Sequence, residues 1–447
     1  MSNTMEKSVT EEFVSDKTDV KVKKKPSGRR VIFASAFGNA LEFFDFGVYN
    51  FFVGYISVLF FPPSDNPSVN LLYAFATFGV SFFMRPLGGI LIGAYADKFG
   101  RKPAMVFTIV LMSLGTLLIG ITPTYITAGY WGTLVLILAR LIQGIAAGGE
   151  VGASMSMLVE SAPANRRGFY SSWTLATQGL STTFGGLLAL GFDSYLPGLT
   201  GNANVMAEWG WRIPFLIGVL LAPIGCWLRL SLENEVPVKT QPSKVKQDRV
   251  IDLLIEYKEV IFIGVMLTIG STVSTYISLF YYATFSAEYL GLEQSAAYSA
   301  MLLAGVLTFC GALLVGMLSD KFDRIRLIAI SRIGLVLLAY PSFWLLVNYP
   351  SQGMLLSIVF VMVSLTTLSA VPVMLIISEL LPKRIRALGF ALVYSLGVAI
   401  FGGFAQYIAT QTIVWTDSLV APAFYLGIAT LLSTLVLPMV KEQKRQM

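Results

Sequence analysis

Gly93-Ala94-Tyr95-Ala96-Asp97-Lys98-Phe99 and Gly316-Met317-Leu318-Ser319-Asp320-Lys321-Phe322 each place an Asp-Lys-Phe triplet four residues beyond a glycine, at the end of a long apolar run. The two aspartates lie 223 residues apart in a chain of 447, half its length. The correspondence continues downstream, where Glu160-x-x-Pro163-x-x-x-Arg167 is answered by Glu379-x-x-Pro382-x-x-x-Arg386, and Phe184-Gly185-Gly186 by Phe401-Gly402-Gly403. A half-length repeat with its landmarks along hydrophobic segments is the pattern of a transporter built from two parallel helical bundles, whose site lies between the halves.

Composition agrees. With 55% hydrophobic residues, only 13% charged and a mean hydropathy of +0.70, the chain departs from soluble domains, in which about a quarter of residues are charged. Cys226 and Cys310, the two cysteines, both sit in apolar runs, so neither a disulfide framework nor a thiolate metal site is expected. No cofactor is expected; the energy source would be an ion gradient. Histidine is absent, which leaves carboxylates to carry any proton relay near neutral pH.

Stretches of about 20 apolar residues, the length that spans ~30 Å of hydrocarbon, predict an all-α membrane protein of twelve helices in two pseudo-symmetric six-helix bundles. The predicted spans are 31–61, 70–96, 104–122, 130–160, 168–192, 211–231, 259–285, 295–317, 327–347, 352–378, 387–411 and 420–440. Residues 1–30 are polar, end in a basic run, and read as a disordered cytoplasmic tail without a cleaved signal peptide. Residues 31–231 form the N-terminal bundle, 232–258 a polar cytoplasmic linker, 259–440 the C-terminal bundle and 441–447 a second short tail.

Lys98, Arg101, Lys102, Arg166, Arg167, Lys321, Arg324, Arg326, Lys383, Arg384 and Arg386 all fall in even-numbered loops. The odd-numbered loops hold Asp65, Asp193, Glu208, Glu288, Glu293 and Asp417, with Arg212 their one notable base. The positive-inside rule therefore predicts cytoplasmic termini and an even number of spans. On this reading the net charge of +6 is a topological signature, not a nucleic-acid footprint. A single chain in contact with lipid is expected to suffice.

Chemistry is sought where charge is unfavourable, since a mid-membrane charge costs at least ~2.5 kcal/mol. Glu42 and Asp45 stand one helical turn apart on the first helix, so both carboxylates share a face. Arg85 lies in Phe83-Met84-Arg85-Pro86-Leu87-Gly88, and Arg140 and Glu150 flank Gly144 and Gly148, a stripe of small residues that admits a close neighbour. All five belong to the N-terminal half, and the matching helices of the other carry no comparable acid or arginine at depth. Glu42, Asp45 and Glu150 are candidates for protonation, and Arg85 and Arg140 for anion binding. The alternative is that the five form structural ion pairs, as buried charges usually do.

The repeated turn has a bland reading, a tight cytoplasmic loop with positive-inside residues, which leaves the aspartate unexplained. A carboxylate there can cap the positive N-terminus of a helix from the other half. Arg101 is then expected to pair with Glu379, and Asp320 with Arg324 to serve Glu160. Gly93, Asp97, Arg101, Glu160, Arg167, Asp320, Arg324, Glu379 and Arg386 are thus candidates for a gate.

These residues carry a family resemblance. Gly38-Asn39 with Glu42 and Asp45, Arg85-Pro86-Leu87-Gly88, the Asp97 to Arg101 loop, Arg140-x-x-Gln143-Gly144 with Gly148-Gly149-Glu150, and Trp209-Gly210-Trp211-Arg212 resemble the major facilitator superfamily, and within it the metabolite:proton symporters. The resemblance spans nearly all of residues 30–440. It implies alternating access and inward symport of a small polar metabolite with H⁺. Gly168-Phe169-Tyr170-Ser171-Ser172-Trp173 and Thr122-Pro123-Thr124-Tyr125 look most like the di- and tricarboxylate members, which favours an organic anion. Tyr49, Gln143 and Gln178 would orient it, and Tyr276, Tyr281 and Tyr282 would close the outer side. An exporter of toxic anions or drugs, or an importer of a zwitterionic osmolyte, would use the same fold. An enzyme is disfavoured because no nucleophile–base pair, phosphate loop or metal cluster is present.

Overall fold

The computed structural model describes residues 28–99, 101–148, 155, 158–233, 256–382 and 386–446. Glu150, Lys383, Arg384 and most of the linker lie outside them, and of Asp97 and Arg101 the backbone alone is described. The long helices fall into twelve segments. The first is α1 (Gly28–Phe51, continued by Val53–Leu59), followed by α2 (Pro67–Phe83, continued by Arg85–Phe99), α3 (Arg101–Ile121), α4 (Tyr130–Ala147), α5 (Arg167–Thr200) and α6 (Ile213–Glu233). The second six are α7 (Lys258–Leu290), α8 (Gln294–Lys321), α9 (Arg324–Asn348), α10 (Gln352–Leu380), α11 (Arg386–Gly397 through Ala405–Thr416) and α12 (Pro422–Leu435, continued by Leu437–Gln446). Among the described residues ten of these are long and apolar enough to cross a membrane. One exception, α5, is diluted by Ser171, Ser172, Thr174, Thr177, Gln178, Ser181 and Thr182, all buried inside the protein. It also runs past the expected end at 192 to Thr200, where Gly201 takes the left-handed conformation (φ 66°) that closes the helix.

Local signals fix several ends. Asn66 caps α2 by accepting from the Ser68 N–H, with Pro67 at the first helical position. Asp323 and Ser351 cap α9 and α10 in the same way. Two helices depart from α geometry inside the protein: α7 carries a π-turn over Ile277–Tyr281 and α11 another over Val398–Gly402.

The packing obeys the repeat. Contacts across the halves run mainly through α5 against α8 and α2 against α11, pairs that the half-length offset exchanges. Glycines permit the approach. A Cβ on Gly179 of α5 would collide with the Phe309 N–H of α8, and one on Gly305 would meet the Thr183 nitrogen at 2.5 Å. Within the N-terminal half the Gly144 and Gly148 stripe meets the backbone of Ser81 and Arg85, and Gly88 meets Ile145 in return. This brings α2 and α4 into backbone contact and sets their side chains over one site.

Residues facing outward, such as Leu220 on α6 and Leu337 on α9, are apolar and exposed, as a lipid-facing surface must be. Gly179→Leu should overpack the seam, lowering stability by about 1–3 kcal/mol. Gly191→Leu, on the same helix but with nothing within 4 Å of its would-be Cβ, should be near neutral. Thermal midpoints of the two purified variants check the contrast.

Candidate functional site

Two guanidiniums occupy the interior of the N-terminal half. Arg140 on α4 is fully buried, donating from Nη1 to Gln143 Oε1 (2.7 Å) and from Nη2 to Ser81 Oγ (2.9 Å). Its Cζ lies 4.4 Å from the Tyr49 ring centroid and 5.0 Å from that of Phe78. Arg85 on α2 is 2% exposed, lies 4.2 Å from the Phe82 centroid, and meets Glu42 Oε1 at 3.4 Å. Aromatic faces hold the cations; one carboxylate of α1 balances Arg85.

Asp45, one turn from Glu42, sits between Thr116 of α3 and Gly218 of α6, where a Cβ would meet its Oδ1 at 2.9 Å. Gln143 Nε2 donates to the same Thr116 hydroxyl at 2.9 Å. A cleft between α1, α3, α4 and α6 reaches both acids through Thr108, Ser113 and Gly225. The carboxylates therefore border a cleft distinct from the seam between the halves.

The C-terminal half closes over the arginines with tyrosines. Tyr276 of α7 packs its ring on Phe78 and Phe82 (5.8 and 5.6 Å), and the Tyr394 hydroxyl of α11 faces Arg85. Both line a cavity that α5 shares with α7, α10 and α11, and Gln178, Ser271 and Thr272 line it too. Tyr49 is less available than expected, since its hydroxyl donates to the Ala74 carbonyl at 2.9 Å. Tyr281 and Tyr282 likewise bond to Thr410 and Ser342 in their own half, though the Tyr281 ring meets Phe75 across the seam at 6.1 Å.

The C-terminal half holds a buried arginine of its own, on α9, outside the helices that match those carrying the five charges. Arg332 on α9 is fully buried, and donates to Ser433 Oγ (2.5 Å), the Ser433 carbonyl (2.7 Å), the Leu267 carbonyl (2.7 Å) and Ser271 Oγ (3.2 Å). The sequence reading did not single it out, eight residues into a helix that starts with loop arginines. The serines that receive it were the available signal.

At the end bearing the Asp-Lys-Phe turns, Asp320 accepts from the Gly168 and Phe169 N–H groups (2.6 and 3.0 Å), capping α5 from the other half. Arg386 meets Glu160 at 3.6 Å across the seam. Arg324, expected to serve Glu160, instead pairs with Glu379 of its own half at 2.5 Å, because the start of α9 and the end of α10 are neighbours in one bundle. Arg167 opens α5, its Nε without a hydrogen-bond partner among the described residues, and Gly93 is open on its Cβ side. Contacts also join the halves at the opposite end, where Tyr289 donates to Ser68 (3.0 Å) and Glu288 covers Gly54.

The profile of the Major Facilitator Superfamily matches residues 35–406. The chain belongs to that superfamily. The Citrate-proton symporter of Klebsiella pneumoniae is 33% identical over 394 residues, 88% of this chain and 87% of that protein. The Proline/betaine transporter of Escherichia coli (strain K12) is 30% identical over 427 residues, 93% and 83% of the two chains. Among solved structures the D-xylose-proton symporter superposes with a TM-score of 0.73 at 20% identity, over 92% of this chain and 96% of that one, a likeness of fold. This member of the superfamily is thus a multi-pass membrane transporter, not an enzyme.

Removing one partner of a buried ion pair strands the other charge. Glu42→Gln should lower stability by about 3–5 kcal/mol, and Glu42→Gln with Arg85→Gln should recover much of the loss. A double-mutant cycle of thermal unfolding measures the coupling, and additive losses would show the pair to be idle.

Proposed function

We propose that the protein is a proton-coupled symporter of a small organic anion, with a di- or tricarboxylate as the favoured class. The observation that carries this reading is the pair of buried guanidiniums beside two carboxylates of α1: cations held by aromatic faces are ready for an anion, and the acids beside them are positioned to take up a proton. Similarity to a citrate–proton symporter along 88% of the chain supports the same class.

The proposed cycle begins with the site open to the outside. Protonation of Glu42, Asp45 or Glu150 releases an arginine from its counter-charge, and Arg140 or Arg85 then binds a substrate carboxylate, oriented by Gln143 and Gln178 with Tyr49 as a platform. The loaded site has lost its excess charge, so the halves rock around it. Contacts at the Asp-Lys-Phe end then part, with Asp320 leaving the α5 N-terminus and Arg386 leaving Glu160; Asp97 and Arg101 act in the matching turn, and substrate and proton enter the cytoplasm. The distribution of basic loops supports cytoplasmic termini, and the bacterial relatives support an inner membrane.

A second reading has one observation in its favour, the 30% identity to a proline/betaine transporter over 93% of the chain. A zwitterion would give its carboxylate to an arginine and its cationic nitrogen to Glu42 or Asp45. Thermal-shift titration separates the two, since a ligand that binds the folded state raises its midpoint with occupancy. Citrate, succinate or α-ketoglutarate should stabilise the protein, and a response to proline or betaine alone would decide for the zwitterion.

In proteoliposomes, at least one of Glu42→Gln, Asp45→Asn and Glu150→Gln should exchange substrate yet fail to accumulate it against a gradient. If all three still concentrate substrate, these acids do not couple transport to protons. Asp320→Asn should change turnover severalfold with little change in binding, and an unaltered rate would remove Asp320 from the gate.

A further inference from the structure

We propose that the cavity between α5 and the C-terminal half is a second anion subsite, in which the Ser271 and Thr272 hydroxyls and the Gln178 amide hold another carboxylate of the same substrate, with Arg332 behind them as the source of positive charge. This rests on the organic-anion reading above and makes it specific: the substrate carries at least two carboxylates, one for each half.

The argument starts from Arg332. A fully buried guanidinium is strongly unfavourable unless balanced, yet every acceptor it has among the described residues is a neutral carbonyl or hydroxyl. No carboxylate of the described residues forms an ion pair with it. It pins α9 to α7 and α12, but its positive field is left uncompensated by that task. Ser271 carries the field toward the cavity. Its Oγ accepts from Arg332 and its own proton has no acceptor among the described residues, while the residue lines the cavity. A hydroxyl polarised in this way presents its hydrogen to an anion.

The neighbouring groups sort themselves by what their protons already do. Thr268 and Thr275 donate to the Gly264 and Ser271 carbonyls of their own helix (2.8 Å each), so their protons are committed. Thr272 is buried and its hydroxyl bonds to no described residue; it points at Gly402, the one residue type there whose missing side chain leaves it room. Gln178 reaches the same cavity from the N-terminal half with its amide similarly uncommitted. Tyr394 stands on the cavity wall facing Arg85. An anion with two charged ends in this cavity therefore has Tyr394, with Arg85 beyond it, on one side and the Arg332-backed hydroxyls on the other.

The test titrates purified protein with succinate and α-ketoglutarate, and with their monomethyl esters, which keep one carboxylate of the two at nearly constant shape. The native protein should prefer each acid to its ester. Ser271→Ala and the near-isosteric Thr272→Val should each weaken binding of the acid about tenfold or more, as expected for a lost hydrogen bond to a charged group, and leave the ester unchanged. Equal affinities for acid in variant and native protein, or equal losses for acid and ester, would overturn the subsite while the organic-anion reading stands. Failure of the native protein to bind either acid would overturn that reading and the subsite together.

Discussion

Two like charges buried side by side cannot be left unbalanced. The backbone contact of α2 with α4, made by Gly88, Gly144 and Gly148, forces Arg85 and Arg140 into one region, and everything around them answers that charge. Phe46 lies within 4.7 Å of one guanidinium and 5.1 Å of the other, spreading the burden over ring faces, while Glu42 supplies the nearest anion. A site with two fixed cations and ionisable counter-charges changes its net charge with each proton or anion it takes. That dependence is what the proposed coupling exploits.

The repeat built a symmetric frame, and the two halves then diverged in chemistry. The seams α5–α8 and α2–α11 are equivalent under the half-length offset, yet the acids of α1 have no counterpart on α7, which offers Thr268, Ser271, Thr272 and Thr275 instead. Arg332 likewise has no basic partner in the matching helix: an isoleucine, Ile109, lies 223 residues before it. One half thus holds charge that can be neutralised by protons, and the other holds a permanent charge screened only by dipoles.

Much of this was legible in the sequence because membranes penalise misplaced charge. Span count, the division into halves and the burial of Glu42, Asp45, Arg85 and Arg140 all follow from apolar length and a few polar interruptions. The Gly144 and Gly148 stripe revealed that α4 would be approached closely, though not that α2 would be the neighbour. Pairings were harder. Arg324 and Arg386 both sit just beyond helix ends, and sequence spacing gives no means of telling that one bonds within its bundle and the other across the seam. Arg332 was hidden for a related reason: eight residues of rise, about 12 Å, separate it from the loop, a depth that a list of loop charges does not measure. The hydroxyls that solvate it are the only clue, and serine and threonine are common in membrane helices.

The π-turn of α7 over Ile277–Tyr281 has a geometric consequence. Its wider turn shifts the helix's hydrogen-bond register where Tyr276 meets the arginine cluster, so it divides α7 into a lower part anchored through Leu267 and Ser271 and an upper part that ends at Gly291 in a left-handed turn. The extra residue in that turn rotates the side chains above it relative to those below, so that Tyr276 meets Phe78 and Phe82 across the seam while Tyr281 and Tyr282 bond to Thr410 and Ser342 within their own half.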